Sequence, residues 1–401
     1  MFHKIKPQIY LIVIGCALFA CTPQAPVNTS GLEAVTPVPT QEKQPTKVNQ
    51  IIQDVVSVVS VSPTPTNICD EAASTTQATL PALIPSKGAF VRIQNNRFSL
   101  NGRPLRIYGI DYYPRDTPWR RFLTETDAKN LPQEFDLIQQ AGINTLRIAL
   151  RDDLLFQCAG SSLIPIAENI VRLDHIIQTA AQYHFHLILT LNDMPDLSTH
   201  PLYTDPQISD GQMIYLAGRY QNEPAIIGWD LHDSGDLDYL YGSFDRQTVL
   251  TWLSDTAIKM RQIDPNHLIT ATWRQDITAP IGIVDFVSVQ VRSNLENLRQ
   301  QIALLTDATD TPIILTSIGY SAFGRSEEGQ RDSLQAALDA ARNNRLAGWF
   351  VWTAFDFPLT VTCYTEGCIN TDSDDHHFGL WTTDYKPKLA VDVIRFATNA
   401  P

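Results

Sequence analysis

The sequence predicts an α/β protein: a (β/α)8 TIM barrel preceded by a signal peptide and a disordered linker. Three observations carry this expectation. The chain has 401 residues, 44 % of them hydrophobic, which is enough for one large domain. From Gly88 onward, apolar strand-like runs alternate with amphipathic helix-like runs, the pattern of parallel strands joined by crossover helices. Eight strand runs are readable, and no Gly-rich phosphate loop follows the first. A closed barrel therefore fits better than an open dinucleotide-binding sheet.

At the N-terminus, Lys4 and Lys6 precede an apolar run from Ile9 to Ala20, shorter than the roughly 20 residues that a membrane-spanning helix needs. The segment "LFAC", residues 18–21, resembles a bacterial lipoprotein signal. That resemblance implies a signal peptide over 1–21, lipidation of Cys21 and an extracytoplasmic, membrane-anchored protein; plain secretion is the alternative. Residues 22–87, with "TPVPTQEKQPT" and "SVSPTPT", are too poor in large apolar side chains to fold alone and read as a tether. The domain is expected over 88–401.

Export favours disulfides over thiolate chemistry. With Cys21 lipidated, Cys69, Cys158, Cys363 and Cys368 remain. Cys363 and Cys368 can close one polar loop, which leaves Cys69 for Cys158. The formal net charge of -13 excludes a phosphate-reading surface of the nucleic-acid type. Neither a cofactor nor a metal is expected, and the chain reads as a monomer that touches the membrane only through its lipid.

Within the domain, "AFVRIQNNRFSLNGRPL" reads as a small hairpin with "NN" and "NG" turns. Strands follow at 106–110, 143–150, 185–191, 225–231, 267–273, 284–291, 311–317 and 346–352. Helical periodicity fills most intervals, but the stretch 274–282 is too short for a proper helix.

In such a barrel, chemistry sits at the C-terminal strand ends. Those ends carry Asp111, Tyr112 and Tyr113; Arg147 with Asp152 and Asp153; Asn192 and Asp193; His232, Asp233 and Ser234; Trp273; Gln290 and Arg292; Ser317; and Trp352. Rings mixed with polar groups suit a sugar cleft, because pyranose faces stack while hydroxyls need hydrogen-bond partners.

On "FSLNGRPLRIYGIDYYP", "LIQQAGINTLRIAL", "YQNEPAIIGWDLHDS", "VDFVSVQ", "TPIILTSIGYS", "GWFVWTAFDFP" and "HHFGLWTTDYKPKLA", the chain resembles the retaining glycoside hydrolases of the cellulase and mannanase superfamily, the family-5 type, from about Phe98 to Phe396. The resemblance implies an oligosaccharide or polysaccharide ligand. It also implies an acid/base glutamate after the fourth strand and a nucleophilic glutamate after the seventh. This chain departs at both positions: Asp233, Ser234 and Gly235 stand where the family has Asn-Glu-Pro, and Ser317 stands at the nucleophile. Gln290 and Arg292 replace a supporting His and Tyr.

Retaining hydrolysis needs two carboxyl groups roughly 5 to 5.5 Å apart, and a serine hydroxyl has no useful acidity at neutral pH. Three readings stay open: a catalytically inactive carbohydrate-binding pseudoenzyme; a hydrolase or transglycosidase with acids relocated to Asp111, Asp193, Asp233 or Glu366; and a cell-envelope scaffold. The expected substrate-binding set is Tyr112, Tyr113, Arg147, Asn192, Asp233, Gln290, Arg292 and Trp352. Arg147, which the resemblance places beneath the lost nucleophile, needs a new partner, Asp233 or Asp111, as an ion pair or a ligand contact. Trp352 either floors a sugar site or packs in the core; Asn192 and Gln290 either bind hydroxyls or close the barrel mouth. His232 reads as a packed histidine, and "TDSDDHH" at 371–377 as a solvated acidic loop rather than a cation site.

Overall fold

The computed structural model describes residues 80–158, 163–193, 195, 197–198, 201–291, 294–362 and 371–399. The signal peptide, Cys21, most of the tether, Arg292, Glu366, Cys363 and Cys368 lie outside them. Cys158 is disulfide-bonded, to a partner outside the described residues.

Three short antiparallel strands come first: β1 (Arg92–Gln94), β2 (Arg97–Leu100) and β3 (Arg103–Pro104). Asn95 and Asn96 (φ 52° and 58°) make the first turn, and Asn101 with Gly102 (φ 53° and 76°) the second. Positive φ at both central residues is what a tight hairpin turn demands, and Asn and Gly supply it at least cost. The third strand extends the expected hairpin.

Eight parallel strands then close a barrel: β4 (Ile107–Asp111), β5 (Thr145–Ala149), β6 (His186–Thr190), β7 (Ile226–Asp233), β8 (Leu268–Trp273), β9 (Val287–Gln290), β10 (Ile313–Ile318) and β11 (Gly348–Val351). Helices Leu131–Gln140, Ala167–Gln182, Pro206–Tyr220, Arg246–Ile263, Leu295–Ala308 and Ser326–Asn343 wrap it. All eight strands fall where the sequence reading put them. The C-terminal helix Ala390–Asn399 was not expected.

The hairpin plugs the N-terminal end of the barrel. Val91 and Phe98 pack with Ile107, Ile188, Ile227, Phe286, Ile314 and Phe350 in a separate buried cluster. The barrel's lower half is thus apolar, and its polar residues collect at the other end. Residues 80–87, expected in the tether, already lie on the domain: Leu80 and Leu83 pack against the core, and the Ser86 backbone N–H donates to Glu223 Oε2 at 2.9 Å.

Candidate functional site

At the C-terminal end of the barrel, one guanidinium gathers three carboxylates. Arg147 Nη2 donates to Asp230 Oδ2 at 2.6 Å and to Asp233 Oδ2 at 2.7 Å, while Nη1 lies 3.2 Å from Asp111 Oδ1. All four side chains are buried. Strand register explains part of this, because Asp111 on β4 pairs directly with Arg147 on β5.

The rest comes from an irregularity. Asp230 and Asp233 are three apart, so in a regular strand they would point to opposite faces. The register between β7 and β8 shifts between these two residues, and the extra residue rephases Asp233 onto the face of Asp230. Asp230 is further held by Thr190 and Thr272, whose hydroxyls donate at 3.1 and 2.8 Å.

The two serines sit at matching places. Ser234 follows β7 with φ 62°, and Ser317 lies in β10 with φ 53°, where the register against β11 also shifts. Bulges of this kind re-aim side chains at barrel rims. Ser234 and Ser317 are only 3 % and 2 % exposed. Ser234 Oγ donates to Asp233 Oδ1 at 2.6 Å, with Gln290 Oε1 at 3.2 Å.

Ser317 faces Asp111 closely enough to favour its ionised form, although burial dominates and raises the Asp111 pKa. Asp111 Oδ2 has no hydrogen-bond partner among the described residues. A bonded chain thus runs from Ser234 through Asp233 and Arg147 to Asp111, with Ser317 beside its end.

Asp193, just after β6, bridges Asp233 through the backbone. Burial first, and then the charge of Asp233, push its carboxyl up to about 6. Among the described residues no histidine bonds to Ser234. The His232 ring is directed elsewhere, with Nδ1 2.9 Å from the Asp233 carbonyl and Nε2 2.9 Å from Asp238 Oδ2 and 3.1 Å from the Tyr203 hydroxyl.

The aromatic residues separate into two groups. Trp352 is half-buried immediately after β11, whereas Tyr113, expected as a binding residue and meeting it edge to face at 5.9 Å, is buried in the core. Tyr112, counted among the ligand-binding residues from sequence, is instead a core residue: it is 1 % exposed, and its hydroxyl donates to Glu134 Oε2 at 2.6 Å. Alternation along the chain accounts for this, since neighbours at a strand end point opposite ways. Trp273 is also buried. Asn192 Nδ2 donates to the Leu231 carbonyl at 2.8 Å, tying β6 to β7, and Gln290 is buried beside Ser234. In the 371–377 loop, His377 Nε2 is 2.6 Å from Asp372 Oδ1.

Sequence reasoning missed Asp230. Its place two residues after Gly228 in an apolar strand was a signal, because a lone carboxylate inside a buried run requires a cation.

These features define a (β/α)8 barrel whose polar residues gather at its C-terminal strand ends. More particularly, its fold is similar to the barrels of family-5 glycoside hydrolases. Over 230 residues the chain is 21 % identical to mannan endo-1,4-beta-mannosidase A of Hypocrea jecorina, covering 50 % of each. With the enzyme of that name from Aspergillus aculeatus the figures are 22 % over 209 residues, 45 % of this chain and 53 % of that one. The chain thus spans about half the length of the curated relatives it matches.

Among solved structures, it is similar to a GH5_18 protein from Streptomyces cattleya in complex with GlcNAc. The TM-score is 0.61 and the identity 16 %, over 74 % of this chain and 81 % of that one. It is also similar to a glycoside hydrolase family 5 mannosidase from Rhizomucor miehei, with TM-score 0.59 and identity 14 %, over 77 % of this chain and 97 % of that one. No family model matches the chain.

Proposed function

We propose that this protein is an exported, membrane-tethered carbohydrate-binding domain that keeps a glycoside hydrolase barrel and has lost its two-carboxylate chemistry. The observation that carries this is the state of Ser234 and Ser317. Both are buried, and both face aspartates that Arg147 already engages.

Hydrolysis with retention needs one carboxylate free to attack the anomeric carbon and one carboxylic acid to protonate the leaving oxygen. Asp233 and Asp111 are engaged by the Arg147 guanidinium, which directs both carboxylates into the protein rather than toward a ligand. Each serine faces a carboxylate that Arg147 already engages, and no histidine among the described residues bonds to either hydroxyl. Binding needs less: half-buried Trp352 offers ring surface, and half-buried Asn192 offers a polar side chain at the same strand ends.

Because the curated relatives are named mannan endo-1,4-beta-mannosidases, a β-1,4-mannan oligosaccharide is the first ligand to try. The tether and lipidated Cys21 place the domain outside a bacterial membrane, as a monomer, and the Cys363–Cys368 bridge belongs to the same reading.

A second reading, hydrolysis by relocated acids, has one observation in its favour: Asp193, with its carboxyl raised to about 6, is half-buried at the cleft rather than locked to Arg147. The test is glycan binding followed by product analysis on every glycan that binds, using the full chain and its Asp193→Asn and Asp233→Asn variants. Binding without products supports the binding protein. Products that disappear in Asp193→Asn would overturn it.

A further inference from the structure

The plugged end of the barrel carries a second site of opposite character. Between the hairpin sheet and the N-terminal ends of β4, β10 and β11 lies a cavity of about 360 Å³. Three arginines line it: Arg97 on β2, Arg106 immediately before β4, and Arg345 immediately before β11. All three are exposed, and none makes an ion pair within the described residues. Asp310 is the one acid in the lining.

A protein of net charge -13 has thus placed three unneutralised guanidinium groups around one opening. Asn344 and Thr311 add polar atoms to the wall, while Phe98 and Leu346 add an apolar flank. Guanidinium forks match phosphate oxygens bidentately.

The chain enters the domain at this same end of the barrel. Arg219 holds the Pro81 carbonyl at 2.9 Å, and Ser86 is bonded to Glu223 in the loop before β7. Loops that precede parallel strands lie at the N-terminal end of a barrel, so the segment leading back to the tether leaves from the face that carries the arginines.

The geometry points to a headgroup site: the Arg97–Arg106–Arg345 cavity binds the phosphate of an anionic phospholipid and sets the barrel on the membrane with its sugar cleft facing outward. This rests on the proposed tether. It adds an orientation, because a tether alone does not set which way the cleft points, whereas a basic face docked on anionic lipid does.

The test is vesicle flotation with the full chain carrying Cys21→Ser, so that no lipid is attached. Phosphatidylcholine vesicles are compared with equal mixtures of phosphatidylcholine and phosphatidylglycerol. Any contribution from the apolar run Ile9–Ala20 appears on both vesicle types.

The expected result is stronger binding to the anionic vesicles, on the order of a hundredfold for three arginines acting near an anionic surface. The variant Arg97→Gln/Arg106→Gln/Arg345→Gln is expected to lose that excess and to keep the phosphatidylcholine level. Arg106→Gln alone should lose part of it. A triple variant that keeps the full excess overturns the proposal. So does complete displacement by equimolar inorganic phosphate, which would assign the cavity to the free anion. Failure of the tether reading would show separately, as wild-type chain that leaves cells in the soluble fraction whatever the vesicles do.

Discussion

Ser234 Oγ donates its proton to Asp233 Oδ1 at 2.6 Å, and the other oxygen of that carboxylate accepts from Arg147 at 2.7 Å. The serine that follows β7 is therefore a donor within a buried polar chain. Ser234→Ala should leave Asp233 Oδ1 without this donor and cost roughly 1 to 3 kcal/mol, the usual cost of stranding a buried charged acceptor. Urea unfolding of the two proteins checks this.

Arg147 is the cation that the three aspartates share among the described residues. Arg147→Met leaves buried carboxylates uncompensated and should destabilise the fold by about 3 to 5 kcal/mol. Stability should partly return on acidification, as Asp111 and Asp193 take up protons. A stability profile against pH for this variant tests both statements.

Ser317 holds a left-handed backbone, φ 53°, which costs a residue with a Cβ roughly 1 to 2 kcal/mol. Ser317→Gly and Ser317→Ala both remove the hydroxyl, so their difference isolates the backbone. The glycine variant should be more stable than the alanine variant by about 1 kcal/mol. Equal stabilities would mean that the strain is relieved elsewhere.

Buried Glu134 and half-buried Asp193 give stability a common pH slope. Burial raises Glu134 to about 7, despite donors from Tyr112, Tyr385 and the Arg115 backbone, and raises Asp193 to about 6. Folded pKa values above the unfolded ones mean that the native state binds more protons, so stability is full below the unfolded pKa and falls as pH rises through the folded one. Glu134 alone is expected to cost on the order of 3 kcal/mol across that window. Asp193→Asn should flatten the part of the slope that ends near 6, as read by unfolding free energy at successive pH values.

Trp352 and Tyr112 separate binding from folding. Trp352→Ala should weaken binding of a mannan oligosaccharide about tenfold or more, as loss of an aromatic anchor does. Tyr112→Phe should leave binding unchanged and cost about 1 kcal/mol of stability through its bond to Glu134. Calorimetry on both variants decides whether Trp352 is a ligand platform.

The eight strands, the hairpin turns and the absence of glutamates at two strand ends are legible in the order of residues alone. These are local properties: alternation, periodicity, turn chemistry and residue identity. Where the aspartates point is set by the closed sheet. The β7 irregularity that brings Asp230 and Asp233 to one face, the inward turn of Tyr112, and the meeting of Arg97, Arg106 and Arg345 from three separate segments all depend on barrel closure and register. Residues far apart in the chain acquire charge partners only once the sheet has closed, and for that reason the chain from Ser234 to Asp111 could not be read from the serine.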